Sequence, residues 1–321
     1  MAHLNRVCDK VYVINLEKDK ERLKEFNKCM EKNSIKYERF NAVDGKKVQR
    51  SDKLSDYCNT FCPDGMKGCA LSHIAIWESM IENGYNNVMV FEDDAIIEPD
   101  FDRKFQDVWN HLPKDYDIVY FGCIFGCSDN SLANTVYKKV TGIETEEINE
   151  FVQTSQGSAG THGYMISLEG AKKFVNKPVN WHIDSQMLSW IKTYDYTAYS
   201  VNSNMVETSQ DNGTLSDSYP ILLNSLLRNF TVNNLKKPST LDWSLSENHM
   251  KLGLLNINTL IIILIVVVLL IPTKYSWIVG LWLTVELLAS GDIKNTLRYA
   301  VLLGVPIGLK YAYLNVIHKY H

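Results

Sequence analysis

Val88-Met-Val-Phe-Glu-Asp-Asp-Ala95 is the stretch on which the fold turns. Four apolar residues in succession, two of them β-branched, read as a strand buried on both faces. Three carboxylates follow directly at its C-terminal end. Like charges that close raise one another's pKa unless something neutralises them. A divalent cation does so. Oxygen donors suit Mg²⁺ or Mn²⁺, which complete their shells with substrate phosphates. The C-terminal edge of an open parallel sheet is also where ligands bind. A solvated acidic loop after a strand is the competing reading, and this stretch alone leaves both open.

Lys10-Val-Tyr-Val-Ile-Asn-Leu16 is a second buried strand, and Asp19 to Lys32 carries Leu23, Phe26 and Met30 at helical spacing. Tyr37 to Val43 reads as a strand that ends in the turn pair Asp44-Gly45. Strand, helix, strand opens a parallel α/β sheet. Further on, the pattern predicts helices over Gly68–Asn83, Leu168–Asn176 and Trp181–Tyr194, and a strand over Tyr116–Gly122. Ser155 to Gly163 is small and Gly-rich, and about Thr208 to Ser246 is a polar linker.

The chain has 321 residues, 45% hydrophobic and 22% charged, which excludes a disordered chain. A formal net charge of −4 offers no electrostatic footprint for nucleic acid, so no nucleic-acid partner is expected. The charge is unevenly spread. From Leu252 onward five basic residues face two acidic ones, and Leu252 to Ile271 holds no charge at all. Such a run predicts a membrane-spanning helix. Tyr275–Ser290 and Tyr299–Ile317 are apolar but interrupted, so one to three helices are expected. The domain reading is a soluble body over 1–248 and a hydrophobic anchor over 249–321. The opening residues do not read as a signal peptide. With Arg228, Lys236, Lys237 and Lys251 ahead of the first span, a cytosolic body is expected. Seven cysteines, an odd number, predict mostly reduced thiols. Cys58-x3-Cys62 and Cys123-x3-Cys127 leave a structural zinc as a minor alternative.

Several polar residues stand near the strand ends, each with two readings. Asn15 and Arg22 flank the first strand-to-helix turn; Arg22 holds a phosphate or is an exposed helix arginine. Asp44 binds a ribose hydroxyl or serves an ordinary turn. In Ser72-His73, the histidine meets a metal or diphosphate, or is a packed helix residue. His162, in Gly160-Thr-His-Gly163, sits where backbone can approach a ligand closely. Asp184 is a general base or a first-turn helix carboxylate.

Val11 to Arg22, Phe40 to Gly45, Gly68-Cys-Ala-Leu-Ser-His-Ile-Ala-Ile-Trp77, Val90 to Ala95, Gly163 to Lys172, Ile183-Asp184, and Gln210 with Ser216-Asp217 occur in that order. The ordered set resembles glycosyltransferase family 25, which holds bacterial lipooligosaccharide galactosyl- and glucosyltransferases and animal procollagen galactosyltransferases. The resemblance implies a GT-A-like (Rossmann-like) nucleotide-sugar-binding domain with a mostly parallel central sheet. It also implies a UDP-sugar donor, inversion, and transfer of galactose or glucose to a glycan, glycolipid or glycoprotein acceptor. Asp94 would hold Mn²⁺ (or Mg²⁺), with His162 as a further candidate ligand. Asp93 or Glu92 would meet the donor's ribose and sugar. Asn15, Arg22 and Asp44 would face the nucleotide, Ser72 and His73 would lie beside the donor, and Asp184 would be the base, with Glu207 and Asp217 as alternatives. The other reading is an inactive sugar-nucleotide- or glycan-binding membrane protein. The multi-span tail departs from the family pattern and points to a membrane-bound acceptor.

Overall fold

The computed structural model describes residues 1–126, 132–208, 220–226 and 245–320. Cys127, Gln210, Asp217 and the basic residues Arg228, Lys236 and Lys237 lie outside the described residues. The chain divides into two compact units, Met1–Ser209 and Gln210–His321.

The first unit is built on a seven-stranded sheet. Its strands are β1 (Lys10–Asn15), β2 (Glu38–Asn41), β3 (Asn87–Glu92), β5 (Ile118–Tyr120), β6 (Val152–Thr154), β7 (Gly163–Ser167) and β8 (Ala198–Val201), in the order β2-β1-β3-β7-β5-β8-β6. β2, β1 and β3 are parallel, β5 and β8 are parallel, and β7 and β6 run against their neighbours. The α/β reading and its mostly parallel sheet therefore hold. A two-stranded ribbon, β4 (Ala95–Ile97) with β9 (Val206–Thr208), follows the acidic stretch.

Side chains alternate between the two faces of each strand. Val11, Val13, Met89, Phe91, Val119 and Phe121 fill one face. They pack under Phe26 and Met30 of α2 (Lys20–Lys32) and Phe101 and Phe105 of α5 (Phe101–His111), with α1 (Leu4–Val7) beside them. The opposite face meets α4 (Asp64–Asn83), which lies against α7 (Leu168–Val175) and α8 (Ile183–Tyr194). The Trp77 and Phe174 rings meet there at a tilt with centroids 5.5 Å apart, and Trp190 adds a third ring. α6 (Leu132–Thr141) also belongs to this unit.

The turn after β2 presses directly on α4. A Cβ added to Gly68 would stand 2.5 Å from the Val43 carbonyl oxygen, so only glycine fits. Ser72 Oγ sits one turn further along and accepts from Val43 N at 2.8 Å.

The cysteine expectation needs correction. Cys58, in α3 (Asp56–Phe61), forms a disulfide with Cys62 just beyond it, and Cys123 is also disulfide-bonded. Ser55 caps α3 through Cys58 N at 3.1 Å, and i and i+4 side chains meet on one helix face. That pairing removes these sulfurs from any zinc site. Cys8, Cys29 and Cys69 are free.

The second unit departs from the expected long first span. Asn248–Leu252 and Leu255–Asn258 form an antiparallel hairpin, β10 and β11. Helix α9 begins only at Thr259 and ends at Leu270, with Asn258 accepting from Ile261 N at 2.9 Å as its cap. Its 12 residues make a helix of about 18 Å, short of the ~30 Å hydrocarbon core. α10 (Trp277–Ser290) is also short, and α11 (Ile293–Tyr320) contains Pro306. Among the described residues, Ile293–Ile317 is the one helix long and apolar enough to cross a membrane. Leu260, Ile261, Leu283, Tyr299 and Leu303 pack the three helices together. Lys310 donates to the Leu269 carbonyl at 2.7 Å and to that of Ile271, covering the end of α9.

Candidate active site

The pleat of β3 divides the acidic run. Val88 and Val90 pair with Ile166 and Tyr164 of β7, on the face toward α4. Glu92 continues that face, and its Oε1 lies 3.5 Å from His73 Nε2. Asp93 turns to the other side and meets Arg22 of α2 at 2.9 Å.

On the α2 side, Asn15 ends β1 and donates to Asp93 Oδ2 at 2.7 Å. Arg39 Nε donates to Asn15 Oδ1 at 2.9 Å and so orients the amide. Arg22 Nη2 also reaches Asp94 Oδ2 at 3.0 Å, while Asp94 Oδ1 is buried without a partner among the described residues. Burial, then the Glu92 charge, raises the Asp94 carboxyl to about 7, against the pull of Arg22. Burial also raises Asp93, with Arg22 and Asn15 opposing. Two buried carboxylates with one guanidinium leave a negative excess able to hold a cation.

On the α4 side, Thr161 Oγ1 donates to Glu92 Oε1 at 2.5 Å. Burial raises the Glu92 carboxyl, but the facing His73 ring and the Thr161 hydroxyl outweigh it and hold it low. His73 is fully buried; its Nδ1 is bonded to the Tyr164 hydroxyl at 2.8 Å, and Trp77 Nε1 donates to the same oxygen at 3.1 Å. Cys69 stands one helical turn before His73, and burial pushes its thiol up. His162 is buried nearby, with Nε2 3.3 Å from the Val206 carbonyl oxygen. Burial lowers its pKa, and the Glu92 charge works the other way. A Cβ on Gly122 would come within 2.7 Å of His162 Nε2, so glycine there makes room for the ring.

The residues singled out in the sequence fall into three groups. Asn15, Arg22, Asp93 and Asp94 converge. His73, Glu92 and His162 converge on the other side of the strand. Asp44 and Ser72 make local contacts instead: Asp44 accepts from Lys46 N at 3.2 Å, and Ser72 ties α4 to the turn at Val43 and donates to Gly68 O at 2.6 Å. Asp184 opens α8, with Oδ2 accepting from Gly160 N at 2.9 Å and Oδ1 from Ser185 N at 2.6 Å. It thereby holds the Gly-rich loop that leads to Thr161 and His162.

Cys69, Thr161, Arg39 and Tyr164 were not among the sequence candidates. The four-residue spacing of Cys69 and His73 was the available signal for the first. No local signal marks the others, which reach the site from separate strands and loops.

The model of glycosyltransferase family 25 (LPS biosynthesis protein) matches residues 8–189. The chain belongs to glycosyltransferase family 25. A glycosyltransferase 25 family member of Aedes aegypti is 33% identical over 181 residues, covering 52% of this chain and 28% of that protein. Procollagen galactosyltransferase 1-A of Xenopus laevis is 29% identical over 182 residues, with the same coverages of 52% and 28%. The match thus spans under a third of these curated relatives. Among solved structures, the crystal structure of A197 from STIV aligns with 65% of this chain and 97% of its own, at 14% identity and a TM-score of 0.32.

Proposed function

We propose that this chain transfers a hexose, galactose or glucose, from a UDP-sugar to a hydroxyl of a glycan, glycolipid or glycoprotein acceptor, with inversion and with a divalent metal. The observation that carries the reading is the acidic end of β3, with Asp94 Oδ1 buried and without a partner among the described residues, in a family 25 domain. The sheet order, with β7 opposed to both neighbours, supports a GT-A-like fold for it.

The residues fit an oxygen-preferring ion. Asp94 would hold Mn²⁺ or Mg²⁺, with Asp93 or Glu92 toward the donor and His162 as the further candidate ligand. The ion supplies charge neutralisation for the leaving diphosphate. Arg22, fixed at the mouth of the acidic pair, is placed to exchange a carboxylate for a donor phosphate. Asn15 holds Asp93 in its orientation and, with Asp44, lies toward the nucleotide in this reading. Ser72 and His73 back the site from α4. Asp184 is the proposed base, held by the Gly160 and Ser185 amides.

We also propose that the body, 1–248, is anchored by 249–321 at a membrane. The Cys58–Cys62 disulfide supports an oxidising compartment rather than the cytosol expected from the sequence.

The test uses full-length protein in detergent with a panel of UDP- and GDP-sugars. Nucleotide release from one UDP-hexose that requires Mn²⁺ and is lost in Asp94→Ala is the expected result. Donor binding without release, with or without acceptor glycans, would replace the transferase reading with a binding protein.

A further inference from the structure

Cys69 and His73 lie four residues apart on α4, so they share the face that meets the end of β3. Cys69 Sγ, a His73 ring nitrogen and a Glu92 carboxylate oxygen all lie within 4.8 Å of one another. His73 is 0% exposed, and its Nε2 points at Glu92 with no hydrogen-bond partner among the described residues. A fully buried imidazole nitrogen beside a thiol and a carboxylate brings together the donors that a cation takes.

We propose that Cys69, His73 and Glu92 bind a divalent ion of the zinc class, separate from the oxygen-preferring ion assigned to Asp94. Thiolate, imidazole and carboxylate are the donors such an ion takes, at about 2.3 Å for sulfur and about 2.0–2.2 Å for nitrogen and oxygen. Ligand atoms around a tetrahedral ion then stand roughly 3.3–3.6 Å apart. The His73 Nε2–Glu92 Oε1 separation of 3.5 Å already has that value.

Ligating histidines are held by a bond at the other ring nitrogen. Here the Tyr164 hydroxyl does this at Nδ1, and the Trp77 indole steadies that hydroxyl. Two lone pairs on the hydroxyl oxygen accept both N–H groups when Nε2 carries the ion. Thr161 fixes the remaining member through Glu92 Oε1. Three protein ligands leave a fourth position for water or a substrate oxygen, the arrangement of catalytic rather than structural zinc. The donor set excludes a preference for Mn²⁺, which favours oxygen ligands, so the two sites sort ions by softness.

This inference stands on ligand geometry and does not depend on sugar transfer, so its test reads the metal. Purified full-length protein in detergent, stripped with chelator, is titrated with Co²⁺ and followed by absorption. The expected result is a thiolate-to-cobalt charge-transfer band with tetrahedral visible bands, saturating at one equivalent and displaced by Zn²⁺. The band persists in Cys29→Ser and is lost in Cys69→Ser. Tyr164→Phe weakens the affinity by about 10–100-fold. X-ray absorption on the zinc-loaded wild type, which needs no variant, should show one sulfur ligand among nitrogen and oxygen. A folded wild type without the band, a band that survives Cys69→Ser, or a zinc shell without sulfur each overturns the proposal. Absence of nucleotide release alongside an intact band would remove the transferase reading and leave this site standing.

Discussion

Arg22 Nη2 lies 3.0 Å from Asp94 Oδ2. The same nitrogen lies 2.9 Å from Asp93 Oδ1, so one guanidinium serves two adjacent carboxylates. Without it, two acids buried side by side would face each other uncompensated. Arg22→Ala should therefore raise the donor KM at least about tenfold, because a charge-assisted phosphate contact is worth ~1.5–3 kcal/mol. It should also tighten Mn²⁺ binding, since the competing cation is gone. Steady-state kinetics and Mn²⁺ titration by electron paramagnetic resonance check both; unchanged values in each would remove Arg22 from the donor site.

Asp94 and Glu92 should affect pH stability with opposite signs. Asp94 has a raised folded pKa of about 7. Its contribution is present below the ordinary aspartate value of about 3.9 and is lost as pH rises through the folded value. Glu92 is held low, so its contribution is present above the ordinary glutamate value of ~4.3 and is lost as pH falls toward the folded value. In chelator, Asp94→Asn should be more stable than wild type at about pH 8, and the difference should vanish toward about pH 4. Glu92→Gln should lose stability relative to wild type at neutral pH. Melting curves across that range decide it; parallel curves for wild type and Asp94→Asn would contradict the assignment.

Ser72 and Gly68 both hold α4 against the turn at Val43. Ser72→Ala leaves Val43 N–H without its acceptor and should cost about 1–3 kcal/mol, with kcat and donor KM of the folded fraction unchanged. Gly68→Ala drives a Cβ into the Val43 carbonyl and should cost more, above ~2 kcal/mol. Denaturant unfolding measures both. A large rise in donor KM for Ser72→Ala without loss of stability would restore it to the donor site.

The Cys58–Cys62 bridge closes a loop of only a few residues, for which chain-entropy reasoning gives roughly 2 kcal/mol. Cys58→Ser should lower stability by about that amount under oxidising conditions. In reductant, wild type and variant should converge. Mass spectrometry of alkylated protein should find Cys58 and Cys62 protected before reduction and modified after it.

The strand at Val88 to Glu92, the helix over Lys20–Lys32 and the sheet class were legible from the sequence, because periodicity and apolar runs are local properties. The four sequence candidates Asn15, Arg22, Asp93 and Asp94 were legible for the same reason: each sits at a strand end or first helical turn, where an open sheet gathers polar side chains. The tail shows the limit of such reasoning. Hydropathy counts composition, so Leu252 to Ile271 read as one span. Gly253, at φ +59°, turns the backbone into a hairpin instead, and Asn258 starts a helix of 12 residues.

Local pattern was enough for the α/β class, for the acidic strand end and, through the ordered motifs, for membership of family 25. How the acidic run is divided between the two faces of the sheet depends on long-range packing. The pleat sends Glu92 to α4, beside Cys69 and His73, and Asp93 to α2, beside Arg22. It also turned Ser72 and Asp44 to local backbone partners. Those outcomes depend on which helix covers which face of the sheet, a long-range packing choice that no window of sequence contains.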